Sequence, residues 1–252
     1  MKKFYLFLSL FLIINTNQLQ AQNDSIYFWK TGALLEKRSI KTADLDSITF
    51  KRPLLTTVTI CNQVWATKNL NVSTFRNGDI IPQVTGSFQW RAITGPAWCY
   101  YNNDPATEIV YGKLYNWYAV NDPRGLAPSG YHIPSDAEWT TLTTCLGGIT
   151  VAGGKMKEIG TAHWTSPNTS ATNSSGFTAR PGGYRYTYGD PNVSGGSAGS
   201  ACSGINSDGF WWSSTAVYTM TASGYKLNYN NSSLIGSGQL YFYGLSVRCI
   251  KD

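Results

Sequence analysis

The stretch Pro128-Ser129-Gly130-Tyr131-His132-Ile133-Pro134-Ser135-Asp136-Ala137-Glu138-Trp139 carries more structural instruction than any other in this 252-residue chain. Ser135 and Glu138 stand at the spacing of a capping box. In it the serine hydroxyl accepts from the Glu138 amide, and the carboxylate reaches back to the Ser135 amide. A helix is therefore expected to begin at Ser135. Trp139, Leu142 and Leu146 fall on one face of it, and Gly147-Gly148 supplies the stop. Ahead of the cap lies a Pro/Gly turn, in which His132 reads as a loop residue hydrogen-bonded to backbone.

Working outward, Val110 to Val120 places Leu114, Trp117 and Tyr118 at helical spacing, with Tyr111 one turn earlier. It stops at Asn121-Asp122-Pro123, because proline disfavours helix in the residue before it. Further upstream, Thr57 to Trp65 alternates apolar and polar residues as a strand does. A loop-rich stretch follows, marked by Asn77-Gly78-Asp79 and Thr94-Gly95-Pro96. Downstream of Phe177 the pattern is all β. Phe177 to Tyr188 is rich in Gly and Tyr, Asp190 to Ser207 is a Gly/Ser/Ala/Asn loop, and Gly209 to Ser214 is a strand. Tyr225 to Asn230 and Gln239 to Tyr243 form a hairpin around Asn231 to Gly238. Leu245, Val247 and Cys249 alternate with Ser246 and Arg248, so one face of the last strand is expected to be core. Trp211 and Trp212 cannot both point inward on one regular strand.

The N-terminus sets the expected compartment. Lys2-Lys3, the apolar run Phe4 to Ile14 and a polar end at Ala21-Gln22 read as a secretory leader cleaved after Gln22. The run is short of the ~20 residues a spanning helix needs. The expectation is a chain without a membrane span after cleavage, secreted or held on the outer cell surface. Residues 23–55 read as a small β extension, with short strands at Ile26–Trp29 and Ser47–Phe50 and a turn at Thr31-Gly32. Asp44 to Phe50 resembles a segment common at the start of secreted Bacteroidetes proteins. The Asp-Ser-Ile triplets at Asp24 and Asp46 resemble O-glycosylation acceptors of that phylum.

Loss of the leader would leave 18 basic residues against 14 acidic, without a Lys/Arg block. No nucleic-acid stripe is present. Charged residues are 13% of the chain and aromatics 14%, so the surface must rest on Ser, Thr, Asn, Gly and Tyr. Such a surface suits neutral, hydroxyl-rich or protein ligands. The five cysteines are Cys61, Cys99, Cys145, Cys202 and Cys249. An odd number leaves at least one thiol without an intrachain partner. With no C-x-x-C and two histidines, a zinc site of ordinary spacing is not supported.

Six motifs occur in a recognisable order: Asn62-Gln63-Val64-Trp65 with Lys68-Asn69-Leu70; Trp98-Cys99-Tyr100 with Tyr111-Gly112-Lys113-Leu114-Tyr115-Asn116-Trp117; the Pro128 to Trp139 stretch; Pro181-Gly182-Gly183-Tyr184-Arg185; Phe210-Trp211-Trp212-Ser213-Ser214; and Gly244-Leu245-Ser246-Val247-Arg248-Cys249. Together they resemble the Fibrobacter succinogenes major paralogous domain family over residues 56–252. That family is similar, in its C-terminal half, to C-type-lectin-like folds, including formylglycine-generating enzymes and the variable proteins of diversity-generating retroelements. The resemblance implies an α+β, C-type-lectin-like domain with two helices, small mixed or antiparallel sheets, long loops, and terminal strands brought together. Family members often carry a cysteine where this chain has Ala127, paired with the cysteine of the last strand. Cys249 then lacks that partner, and Cys61 becomes an alternative if the Cα atoms come within about 7 Å.

Three function classes follow. A formylglycine-generating type of oxidase needs two close thiols for copper, and the terminal half offers Cys202 and Cys249 without suggestive spacing. His163 and the carboxylates Asp104, Asp136, Glu138 and Asp190 all have ready structural roles, so no catalytic set assembles. Calcium-dependent sugar binding needs clustered acidic ligands, and Ser213 to Val247 has no Asp or Glu. The preferred reading is recognition of a glycan or protein ligand with neither calcium nor cofactor. From Ser223 to Tyr243, 14 of 21 residues are Tyr, Ser, Gly or Asn, the palette of adaptable binding loops. The candidate ligand-binding residues are Tyr218, Tyr225, Asn228, Tyr229, Asn230, Asn231, Tyr241 and Tyr243. Retroelement-diversified proteins vary this segment through adenine-bearing codons, which Tyr, Asn and Ser fit as well as they fit the ordinary family pattern. With enzyme and binding module as the first two, a surface component without a discrete ligand is the third class.

Overall fold

The computed structural model describes residues 24–30, 33–40, 55–186 and 201–252. The chain divides into two compact units between Pro53 and Leu54. In the first, β1 (Asp24–Lys30) and β2 (Ala33–Ile40) pair antiparallel, from Asp24 opposite Ile40 to Lys30 opposite Ala33. The strand expected at Ile26–Trp29 is present. The leader over residues 1–22, the turn at Thr31-Gly32 and the strand expected at Ser47–Phe50 lie outside the described residues, as does Asp190.

The second unit is α+β. It opens with β3 (Thr57–Ile60) and β4 (Gln63–Ala66), a hairpin turning on Cys61 at φ 54°. The alternation read as one strand is therefore two. Next come α1 (Ser87–Ala92), β5 (Trp98–Cys99), α2 (Glu108–Tyr111), β6 (Leu114–Tyr115) and α3 (Trp117–Val120). The single helix expected over Val110 to Val120 is thus broken in two. Gly112 sits at φ 74°, and a Cβ there would lie 2.9 Å from the Leu70 carbonyl oxygen. Helical spacing of the flanking apolar residues could not outweigh that backbone requirement.

After β7 (Tyr131–His132) comes α4 (Asp136–Cys145), with the Ser135/Glu138 capping box formed as expected. α5 (Ile149–Met156) follows at once, although Gly147-Gly148 read only as a stop. Its Gly153 explains a helix that carries two glycines. A Cβ there would lie 2.6 Å from Leu227 and 2.7 Å from the Ser233 carbonyl oxygen, so the helix packs backbone-close on the loop after residue 228.

The remaining strands are β8 (Gly182–Arg185), β9 (Cys202–Ile205), β10 (Asp208–Tyr218), β11 (Thr221–Asn228), β12 (Ile235–Leu240) and β13 (Ile250–Lys251). Two sheets dominate, a five-stranded one ordered β12-β11-β10-β8-β9 and a four-stranded one ordered β3-β4-β13-β7. The ends of the domain meet where Ile250 pairs with Trp65.

β10 separates two cores. Trp212 belongs to a cluster with Phe75, Tyr115, Trp117, Leu245 and Val247. Trp211 belongs to another with Trp65, Trp139, Trp164, Phe177 and Leu227. The adjacent indoles point to opposite faces, as strand geometry demands, and both are fully buried because each face has its own core. Truncating either to Ala is expected to cost about 3–5 kcal/mol. The same double burial corrects the one-faced reading of the terminal segment. Ser246 and Arg248, expected outward, are as buried as Leu245 and Val247.

Cys61 is bonded to Cys145, not to Cys249. Cys249 lies beside Ala66, whose amide donates to its carbonyl, while Cys61 is at the far turn of the hairpin. The four residues of β4 separate the two places, about 13 Å. Cys249 is instead buried with Ala127 in the first core. Closing a span of 84 residues stabilises the fold by up to about 4.5 kcal/mol on the chain-entropy account.

Candidate functional site

β10 and β11 outrun the core at their shared turn. Val217, Tyr218 and Met220 are exposed there, Tyr218 to 77%. Beneath them, α3 starts where Asn116 caps it, its side chain accepting from the Ala119 amide. That cap aims the Trp117 indole at Tyr241, and the rings stack at 4.3 Å and 18°. Trp117 is fixed from below, its Nε1 donating to the Ser213 carbonyl. Tyr118 meets the Tyr241 ring edge-on at 5.8 Å, and its hydroxyl lies 3.8 Å from Met220 Sδ. The Tyr241 amide donates to the Met220 carbonyl, holding the turn against this stack. The tip is thus layered, with a buried indole, then Tyr241 and Tyr118 half-buried, then Tyr218 and Met220 outermost. None of these five side chains is a carboxylate or a basic group. Their faces and hydroxyls suit stacking on a sugar ring or packing on a protein side chain.

Other expected ligand residues are placed elsewhere. Tyr225 stacks on Trp139 at 4.7 Å, and its hydroxyl donates to Asp136, the first residue of α4. Burial and the Asp136 carboxylate hold the Tyr225 phenol well above its usual range. Ser223 donates to the other Asp136 oxygen at 2.6 Å. The Asn228 amide donates to Asp208 at 2.6 Å, while its side-chain oxygen caps the Asn230 amide. Asn231 turns its side-chain oxygen to the Ser233 amide. Tyr229 packs against the second core. Asn230 is exposed. Tyr243 is buried in the first core, close to Tyr184, and so does not face solvent as expected. Of the eight candidates, the structure brings Tyr218 and Tyr241 together at the tip. It sets Tyr225 and residues 228–231 along and beyond the other end of β11.

Sequence reading missed Tyr118 and Trp117 as part of the tip, since both were assigned to a packing helix, and Met220 carried no motif. It also missed three buried cations. Lys157 is fully buried, and its three N–H donors meet the carbonyls of Thr169, Asn228 and Asn231 at 2.9–3.1 Å. Burial pulls its pKa down to about 8. Arg185 donates to the Val84 and Thr85 carbonyls. Arg248 donates to the Ala66 and Phe177 carbonyls and twice to Asn69. No ion pair joins any of the three to a carboxylate among the described residues. They act as clamps on loop carbonyls. Asn69 is the corresponding hub for the sequence motifs, accepting from Trp211 and Arg248 and donating to Tyr111 and Ser246.

His132 differs from its expected backbone-bonded role. Its two nitrogens lie 2.7 Å from Glu138 and 2.7 Å from Asp252. Burial lowers the imidazole pKa, but the two carboxylates outweigh it and the net shift is upward. The thiols are muted. Burial pushes Cys99 up to about 12 and also raises Cys202, which packs beside it. Among the described residues, no group of three or more His, Cys, Asp or Glu side chains is arranged to hold a metal ion, and no helix is long and apolar enough to cross a membrane.

Neither the curated proteins nor the solved structures hold a match to this chain. The family model of the Fibrobacter succinogenes major domain matches residues 58–251, nearly the whole second unit with all six motifs inside it, and the chain belongs to that family.

Proposed function

We propose that this domain is a C-type-lectin-like recognition module, secreted or displayed on the outer cell surface, that binds a glycan or protein ligand without calcium. The binding surface is the tip formed by Tyr118, Tyr218, Met220 and Tyr241. One observation carries the reading: Tyr241 stacks on a buried indole, Tyr118 meets it edge-on and Tyr218 stands open, while Tyr225 further along the same hairpin is tied to partners inside the domain. A rigid aromatic surface loses little entropy on binding. The pairing of the last strand, β13, with β4 of the opening hairpin supports a lectin-like build.

The test is a glycan array and a surface-protein pull-down with residues 23–252, run in EDTA. The reading expects a hit that persists in EDTA and is lost in a Tyr118→Ala/Tyr218→Ala double variant. A hit that needs calcium, or one indifferent to both substitutions, would overturn it. Empty screens with concentration-dependent self-association would instead favour the structural-component class. Copper binding with thiol oxidation would favour the oxidase class.

A further inference from the structure

A pocket of about 110 Å3 opens beside Asn69, with Lys68, Arg180 and Arg248 in its wall and no carboxylate among the lining residues. That volume holds several waters or one small ion. The neutral groups of the wall are already committed. Thr67 bonds to Thr56, Thr178 bonds to Gly176 and Asn173, and Asn69 serves the hub described above. The cations keep spare capacity for an anion. Lys68 is exposed and makes no hydrogen bond or ion pair among the described residues. Arg180 donates to Glu158 through Nε and Nη2 and reaches the Val110 carbonyl through Nη1 at 3.5 Å, and the Glu158 carboxylate is shared with His163. Arg248 is 1% exposed, and its four bonds all go to neutral oxygens. A guanidinium has five N–H groups, so one on Nη2 remains.

Burying the Arg248 guanidinium with no carboxylate bonded to it is unfavourable, and the second guanidinium of Arg180 in the same wall makes it worse. An oxyanion between them removes both penalties, and the planar guanidinium fork matches its geometry. We propose that this pocket binds a small oxyanion, the carboxylate, sulfate or phosphate group of a ligand, between Arg180 and Arg248 with Lys68 at the mouth. The site shares no residue with the aromatic tip and stands or falls independently of it.

The experiment titrates the full-length protein separately with sodium sulfate, sodium phosphate and sodium acetate, sodium chloride holding the ionic strength constant. Chemical shifts of the amides around Lys68 and Arg180 are followed by NMR. Saturable movement with at least one anion is expected, and which anion saturates first tells tetrahedral from planar ligands. In Lys68→Gln and in Arg180→Gln the affinity should fall about tenfold each. Lys68 is a surface side chain, so its variant keeps the fold and isolates the charge. Linear, unsaturated drift with all three anions would overturn the proposal. So would affinities in both variants equal to that of the parent, since they would show general salt exclusion rather than a site.

Discussion

At the Asn228 end of β11, Tyr225, Asn228 and Asn231 are each held by a partner: the ring on Trp139, the amide on Asp208, the carbonyls of both asparagines on Lys157. At the Thr221 end, Tyr118 meets Tyr241 and Met220, Tyr241 stacks on Trp117, and Tyr218 stands open. Both ends draw on the same uncharged, aromatic-rich set of residues. What separates them is what the rest of the chain brings to each. α4 and α5 deliver Asp136, Trp139 and the segment leading to Lys157 to the middle and the Asn228 end of β11, while the short α3 supplies Trp117 and Tyr118 at the tip. A tyrosine-rich segment is therefore scaffold or surface according to the charge and packing supplied from outside it.

The contrast can be broken most severely at Lys157. In Lys157→Met three part-buried carbonyls lose their donor, and at about 1 kcal/mol or more for each a loss of about 3 kcal/mol is expected in urea unfolding. A change under 1 kcal/mol would show that the asparagine turn does not depend on this clamp. Tyr225→Ala removes the ring from Trp139 and the hydroxyl from Asp136. A loss of about 2–4 kcal/mol is expected, somewhat less than for a fully buried ring.

His132 sharpens the comparison through pH, because it ties the cap of α4 to Asp252. A histidine whose pKa is raised in the folded state stabilises fully below its unfolded value of 6.5, and loses that contribution as pH rises through the folded value. Glu138 is lowered: burial opposes this, but bonds from Ser135 and His132 prevail. Its contribution is present above 4.5 and lost as pH falls through the folded value. The staple is therefore strongest between these two pH values. The imidazole is partly solvent-exposed, so His132→Asn should cost under about 1 kcal/mol at pH 5.5 and nothing measurable well above the folded value. Parallel denaturation curves at the two pH values check this. Smallest of all, Tyr218→Ala should change stability by no more than about 0.5 kcal/mol, since nothing packs over that ring.

The parts of this fold that are legible in sequence are those whose information is local. The Ser135/Glu138 cap needs only four residues, and α4 forms from it. The β10–β11–β12 arrangement was half legible. A hairpin was expected around Asn231 to Gly238, but the turn falls over residues 229–234, and Ile235–Leu240 is already strand. Gly236, Ser237 and Gly238 read as a turn, yet they form an edge strand whose Gly236 lies opposite the bulky Tyr225. Sequence pattern could not weigh that cross-strand fit. The site was less legible still. Tyr218 and Tyr241 were found from composition, but Tyr118 reaches the tip only because a glycine over 100 residues from Tyr218 breaks the expected helix. Arg248 and Lys68 lie 180 positions apart and meet only through Asn69 and the folded sheets.

The central claim is that the two ends of β11 have different jobs, and a paired measurement on Tyr218→Ala and Tyr225→Ala tests it directly. For each variant, the free energy of unfolding is set beside the affinity for the ligand found in the screen. A crossed result is expected, with Tyr218→Ala as stable as the parent but at least ~10-fold weaker in binding, and Tyr225→Ala unstable but binding normally per folded molecule. If Tyr225→Ala abolished binding at full stability while Tyr218→Ala bound like the parent, the assignment of surface and scaffold would be reversed.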